Sequence, residues 1–221
     1  MDELEIKISE LTENPSARVP VCLCIDVSGS MEGDPIRELN GGLVGFFSEV
    51  RKNKLARYSA DICMVTFGAT VEQVVDFRPV DRQAVPALRA SGKTPMGAAV
   101  ELALDTLELR KREYQTVGVD YYQPWLVLMT DGQPTDDIEV AVKRVRELAT
   151  ARKLTVFPIA IGASADMATL ARFSPTGRSH RLKGLAFSHF FAWLSKSIIR
   201  TSSTSVGDEI GYLDVKGWDD L

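Results

Sequence analysis

Short runs that are apolar at almost every position alternate with longer stretches whose apolar residues recur every three or four positions. Residues 19–27 form the first run, apolar throughout apart from Asp26, as expected of a strand buried on both faces of a sheet. Pro20 is tolerable near the start of such a strand. Residues 58–70, 125–130 and 154–161 read as three more strands, with Ile62, Met64, Val65 and Phe67 apolar in the first of them. Between the first two strands, Ile36, Leu39, Leu43, Phe46, Phe47 and Val50 fall at helical spacing, with Pro35 suited to the opening turn and an end near Asn53. Met96, Ala99, Val100, Ala103, Leu104 and Leu107 give the cleanest amphipathic helix, opened by Thr94-Pro95. Ile138, Val142, Val145 and Leu148 give another, for which Thr135 or Asp136 is the expected cap. Residues 71–77 follow the turn Gly68-Ala69-Thr70 and read as a short antiparallel edge strand. A short helix at 167–173, a short strand at 179–182 and a helix at 186–200 complete the pattern.

Strands alternating with helices imply parallel pairing with helices on both faces. The expected fold class is therefore α/β: a doubly wound, mainly parallel central sheet with one antiparallel edge strand. Right-handed crossovers then bring the loops that follow the strands to one edge of the sheet.

The two ends of the chain read differently. In residues 1–18, Leu4, Ile6 and Ile8 alternate with Glu3, Glu5 and Lys7, which suits an arm or a short edge strand before the turn Asn14-Pro15-Ser16. Residues 19–200 are expected to be one domain. From residue 201 the polar linker Thr201-Ser202-Ser203-Thr204-Ser205 leads into an acidic stretch, so 201–221 is expected to be a flexible acidic tail.

Composition changes this picture little. The chain has 221 residues, 45% hydrophobic and 25% charged, as in an ordinary globular protein. Its 26 basic and 30 acidic residues leave a formal charge of −4, which argues against nucleic acid as a general partner. Cys22, Cys24 and Cys63 all lie in apolar runs without zinc spacing and read as reduced core thiols. No run of ~18 apolar residues and no signal-peptide pattern is present. A cytoplasmic protein that does not enter the membrane is the expectation.

Candidate chemistry gathers where strands end. Ile25-Asp26-Val27-Ser28-Gly29-Ser30-Met31 puts one carboxylate and two hydroxyls in a tight turn after the first strand. In open α/β sheets, ligands bind at the carboxyl ends of strands. Taken alone, the turn suits part of the oxygen shell of a hard cation equally with a polar loop in which Asp26 caps a helix. Ser91-Gly92-Lys93-Thr94-Pro95-Met96 opens the amphipathic helix, and Leu128-Met129-Thr130-Asp131-Gly132-Gln133-Pro134-Thr135 ends the third buried strand. The D-x-S-x-S turn, the isolated Thr94 and the Asp131-Gly132 pair, in that order, resemble the metal-ion-dependent adhesion site of von Willebrand factor A domains.

Further blocks extend the resemblance over roughly residues 13 to 218. Glu13-Asn14-Pro15, the segment from Ser91 to Gly97, Tyr121-Tyr122-Gln123-Pro124-Trp125, Lys183-Gly184-Leu185 and Phe191-Ala192-Trp193-Leu194-Ser195 are similar to the TerY-like branch of bacterial tellurium-resistance and stress-response proteins. The resemblance implies one divalent cation, Mg²⁺ first and Mn²⁺ or Ca²⁺ as alternatives, held by Asp26, Ser28, Ser30, Thr94 and Asp131. In it, Ser28, Ser30 and Thr94 give hydroxyl oxygens, and Asp26 and Asp131 bind directly or through water. At most two carboxylates balance the cation, so it stays electrophilic toward a partner's Asp or Glu. The implied function is a metal-dependent protein-interaction scaffold with kinase-like and phosphatase-like partners.

The alternative is a metal-dependent hydrolase or phosphatase, which needs a base or nucleophile beside the metal. His180 and His189 stand in no recognisable motif and read as structural; no nucleophile elbow, phosphate loop or dinucleotide fingerprint is present. The expectation is a protein without enzymatic activity.

Overall fold

The computed structural model describes residues 3–14, 16–207, 215, 218 and 219. Six strands form one sheet in the order β3-β2-β1-β4-β5-β6. They are β1 (Val19–Asp26), β2 (Ala60–Phe67), β3 (Val71–Val75), β4 (Trp125–Thr130), β5 (Thr155–Ala160) and β6 (His180–Arg181). All pairs are parallel except β2 with β3. This is the mainly parallel α/β sheet, with its antiparallel edge, that the hydrophobic pattern predicts.

The helices are α1 (Glu3–Glu13), α2 (Asp34–Lys52), α3 (Ala56–Ser59), α4 (Met96–Val117), α5 (Glu139–Thr150), α6 (Met167–Ala171) and α7 (Phe187–Thr201). Side chains alternate across a strand, and β1 is buried along its whole length, so it feeds two cores. Val19, Val21, Leu23 and Ile25 pack in the layer of α2 and α7, with Phe46, Phe47, Phe187 and Phe191. Cys22 and Cys24 pack in the opposite layer, with Ala99, Val100 and Leu104 of α4 and Val142 of α5. Cys63 joins them; all three thiols are free and buried, and burial pushes those of Cys24 and Cys63 well above the usual range.

From β1 the chain winds outward to β2 and β3, then returns and continues on the other side through β4, β5 and β6. The order reverses between β1 and β4, so the crevice at their carboxyl ends is a topological switch point. Asp26 ends β1, and Thr130 ends β4.

Four elements depart from the hydrophobic pattern. Residues 3–13 are helical rather than an arm or an edge strand. The alternation of Leu4, Ile6 and Ile8 masked a helical spacing of Leu4, Ile8 and Leu11, and Leu11 is 1% exposed. The second strand starts at Ala60, because the Asn53 side chain accepts from the Leu55 and Ala56 amides and turns residues 56–59 into α3. Helix α5 starts only at Glu139, so neither Thr135 nor Asp136 caps it. Finally, Trp218 is buried beyond α7 against Phe190 and Trp193, and its carbonyl accepts from the Lys183 amide. The acidic residues Asp208, Glu209, Asp214 and Asp220 lie outside the described residues.

Candidate metal centre

The site begins with a buried carboxylate. Asp26 is fully buried, and both of its oxygens are bonded. Oδ1 accepts the Ser28 amide at 2.7 Å, and Oδ2 accepts the Thr130 hydroxyl from the end of the neighbouring strand. The chain then tightens into a 3₁₀ turn, Gly29–Met31, which sets Ser28 and Ser30 on the same side. Their hydroxyl oxygens are 3.0 Å apart, and Ser30 Oγ donates to Asp131 Oδ1 at 2.8 Å. The backbone and side-chain bonds therefore link Asp26, Ser28, Ser30 and Asp131 across the β1/β4 crevice.

Thr94 arrives from the segment before α4. It is 6% exposed, and a Cβ placed on Gly132 would lie 3.4 Å from its hydroxyl oxygen. Two bonds tie it to the loop after β4: the Thr94 amide donates to Thr135 Oγ1 at 3.2 Å, and the Thr135 amide donates to the Thr94 carbonyl at 2.9 Å. The structure thus links four of the five residues singled out in the sequence by hydrogen bonds and places the fifth, Thr94, beside Gly132, the residue after Asp131.

Burial pushes the Asp26 carboxyl above the usual carboxylate range, and the nearby Asp131 adds to the effect against the hydrogen bonds from Ser28 and Thr130. Burial also raises the Asp131 carboxyl, opposed by the Ser30 hydroxyl. Two desolvated carboxylates facing three hydroxyls make a hard, all-oxygen donor set. That chemistry fits Mg²⁺, Mn²⁺ or Ca²⁺ and does not favour soft metals, which prefer thiolate. Among the described residues no three His, Cys, Asp or Glu side chains gather into a metal cluster, so the fit depends on the hydroxyls.

Three loops hold this arrangement. The Gly29 amide donates to the Gly92 carbonyl at 3.1 Å, and the Ser91 amide donates to the Val27 carbonyl at 2.7 Å. Gly92 has φ +80°, and a Cβ there would stand 2.3 Å from the Ala69 backbone. A Cβ on Gly68 would stand 2.5 Å from the Ser91 carbonyl. Only a residue without a side chain lets these backbones approach so closely.

Sequence reasoning missed these two glycines, Thr130 and Asp136. Asp136 does not cap its own helix. Its carboxylate reaches across to the first turn of α4, accepting the Gly97 amide at 3.0 Å and the Ala98 amide at 2.8 Å. Nor does the Thr94 side chain cap α4; Pro95 holds the capping position, and the acceptor comes from the neighbouring loop. The available signals were a hydroxyl closing an otherwise apolar strand and a surplus of acids after Asp131. The histidines stand elsewhere: His180, on β6, is bonded to Asp219, and His189 is exposed on α7.

A parallel α/β sheet with an oxygen-lined crevice at its switch point defines a class of ligand-binding domain. The family model described as von Willebrand factor type A domain matches residues 21–190, well over half the chain. The chain belongs to the von Willebrand factor type A domain family. Such domains mediate protein–protein interactions and adhesion, often with a metal.

Solved structures share the fold. One is the manganese-loaded TRAP protein of Plasmodium vivax, 23% identical with a TM-score of 0.52, covering 72% of this chain and 63% of that one. Another is the pilus adhesin SpaC of Lactobacillus rhamnosus GG in an open conformation, 14% identical with a TM-score of 0.64, covering 84% of this chain and 30% of that one. A third is the ArnB paralog VWA2 of Sulfolobus acidocaldarius, 14% identical with a TM-score of 0.53, covering 83% and 45%. The chain therefore spans less than two thirds of the length of each. No curated protein sequence matches it.

Proposed function

We propose that the protein is a metal-dependent protein-interaction module whose divalent cation is held by Asp26, Ser28, Ser30, Thr94 and Asp131. The observation that carries this reading is the bonded path Asp26–Ser28–Ser30–Asp131, with Thr94 packed beside it, at the β1/β4 switch point. Manganese in the Plasmodium vivax relative supports a divalent cation as the ligand class, and Mg²⁺ is the proposed physiological ion. When bound, the cation would supply a Lewis-acidic docking point. The residues of the chain would hold it without any surplus of negative charge. Three of the five donors are neutral, so two carboxylates balance the charge and none is left over. A partner's Asp or Glu completes such a shell with a directional bond, and rim charges then set the encounter rate. Glu32, Lys93 and Gln133 are exposed beside the site residues in sequence and form part of that rim.

The sequence blocks shared with the TerY-like branch support a cytoplasmic role in a tellurium-resistance or stress-response complex with kinase-like and phosphatase-like partners. No helix of the described residues is long and apolar enough to cross a membrane. We place the protein outside the enzymes: the serine hydroxyls bond each other and Asp131, and both histidines are placed elsewhere.

Isothermal titration with Mg²⁺ tests the site. Wild type should bind one ion, and Asp26→Ala should bind none while keeping its circular dichroism. Equal affinity in both would end the proposal. Capture of a partner that requires Mg²⁺ and is lost with chelator, in wild type but not in Asp26→Ala, tests the interaction.

A further inference from the structure

We propose that the opposite, amino-terminal edge of the sheet encloses a site for a single internal water molecule, which joins α1 to the domain through Glu10 and Asp61. A cavity of about 10 Å³ lies there, lined by Glu10, Leu11, Arg18, Tyr58, Asp61 and Arg110, among others. Two buried carboxylates contribute to its wall. Asp61 is 2% exposed at the second position of β2; its Oδ2 accepts Arg110 Nε at 2.8 Å and the Tyr114 hydroxyl at 2.5 Å. Glu10 is 9% exposed on α1, and its Oε1 accepts Arg82 at 2.8 Å. The second oxygen of each, Asp61 Oδ1 and Glu10 Oε2, is fully enclosed and has no protein partner. Buried polar atoms are almost always bonded, and an enclosed carboxylate oxygen is an especially costly one to leave bare.

Size and charge together select the occupant. A volume near 10 Å³ holds about one water and excludes any organic molecule. Around the cavity, Glu10 and Asp61 are matched in charge by Arg18 and Arg110, and the two partners outside it, Arg82 bonded to Glu10 and Glu113 bonded to Arg110, keep the group neutral. A cation would add uncompensated positive charge among guanidinium groups. A neutral water donates one hydrogen to each bare oxygen, and its own oxygen faces the arginine donors. The Arg18 guanidinium is already fixed by the carbonyls of Tyr58 and Asn14, so this wall of the cavity is held in place. The water makes the link between α1 and β2 polar and directional, whereas the neighbouring Leu11, 1% exposed, has only an apolar side chain to offer.

A crystal structure of the full chain, at a resolution that shows other internal waters, tests this directly. One isolated peak is expected within roughly 2.6–3.2 Å of both Asp61 Oδ1 and Glu10 Oε2. Glu10→Leu, with its fold checked by circular dichroism, should lose that peak. Magnetic relaxation dispersion should count one long-lived water fewer in that variant than in wild type. An empty cavity in wild type would overturn the proposal. So would a peak with the shorter, multi-ligand distances of a metal cation, or an unchanged count of long-lived waters in Glu10→Leu.

Discussion

Replacing Asp136 with alanine removes the only side-chain acceptor seen, among the described residues, at the first turn of α4 while leaving every proposed metal ligand in place. Two amides, Gly97 and Ala98, lose a charged partner. A bond to a charged group contributes about 1.5–3 kcal/mol when buried, but Asp136 is partly exposed and water replaces part of the loss. Loss of a capping side chain costs roughly 0.5–2 kcal/mol. A destabilisation of about 1–2 kcal/mol follows, which in a chain of this size lowers Tm by roughly 2–8 °C. The effect on the site is separable from this. Thr94 stands two residues before α4, so loosening the first turn frees one wall of the site, although the two bonds between Thr94 and Thr135 remain. Mg²⁺ affinity should fall by about three- to tenfold, up to about 1.4 kcal/mol. Asp136→Asn, which keeps one acceptor, should fall between wild type and Asp136→Ala in both measurements. The assays are differential scanning calorimetry of the metal-free protein and isothermal titration with Mg²⁺. An Asp136→Ala protein with unchanged Tm would refute the cross-loop cap. One with lowered Tm but unchanged Mg²⁺ affinity would refute the link from the cap to Thr94.

Other consequences are simpler to state. Gly92→Ala places a methyl group 2.3 Å from the Ala69 backbone at φ +80°, and should lower stability by at least about 2 kcal/mol in chemical denaturation; full stability would mean the loops are not interlocked. Mg²⁺ at about 100 times its Kd should raise stability by about 2.7 kcal/mol, and Ser30→Ala should shrink that gain at the same concentration in a thermal-shift assay. Trp218→Ala should cost about 3–5 kcal/mol, as for other large core truncations, because the ring is 2% exposed among Phe190, Trp193 and His180; a near-neutral result would show that residues 218–219 contribute nothing to the core. The Asp166 carboxyl is held below the usual range by the Thr169 amide and hydroxyl. Its cap on α6 therefore contributes above the unfolded value, near 3.9, and is lost as pH falls through the folded value. Asp166→Asn should lack that part of the acid dependence in pH-jump unfolding.

Buried strands were legible because β1 and β4 are apolar on both faces over only 8 and 6 residues, shorter than a typical buried helix, and are bounded by turn residues. The candidate residues could be singled out because Asp26, Ser28, Ser30 and Asp131 lie at strand ends and Thr94 just before a helix, where turn chemistry is short-range. What remained hidden depends on contacts distant in sequence. Asp136 caps a helix that begins 40 residues before it, and no local pattern distinguishes that from capping the helix just ahead. Thr130 reads as one more strand residue until the pairing of β1 with β4 brings it to Asp26. Leu4, Ile6 and Ile8 fit a strand period over five residues, and only the burial of Leu11 reveals the helical one. The burial of Trp218 was not legible, because its partners, Phe190 and Trp193, lie on α7, more than 20 residues earlier.

About half of the bonds that shape the candidate centre come from groups that would not touch a metal. Thr130, Thr135 and the backbones of Gly29, Ser91 and Gly92 fix the loops. The hydroxyls of Ser28 and Ser30 bond each other, and that of Ser30 also bonds Asp131. This division has a physical reason. A hydroxyl that must hold a cation cannot also be the support of its own loop without losing one role to the other, so the supports sit behind the donors. Asp26 is the exception, since its oxygens bond Ser28 and Thr130 while its carboxyl is raised by burial and by Asp131. Burial therefore disfavours an ionised Asp26 in the crevice, and a cation would relieve that charge. Replacing a donor such as Ser30 should affect ligand binding and spare the fold, whereas replacing a support such as Gly92 should affect both.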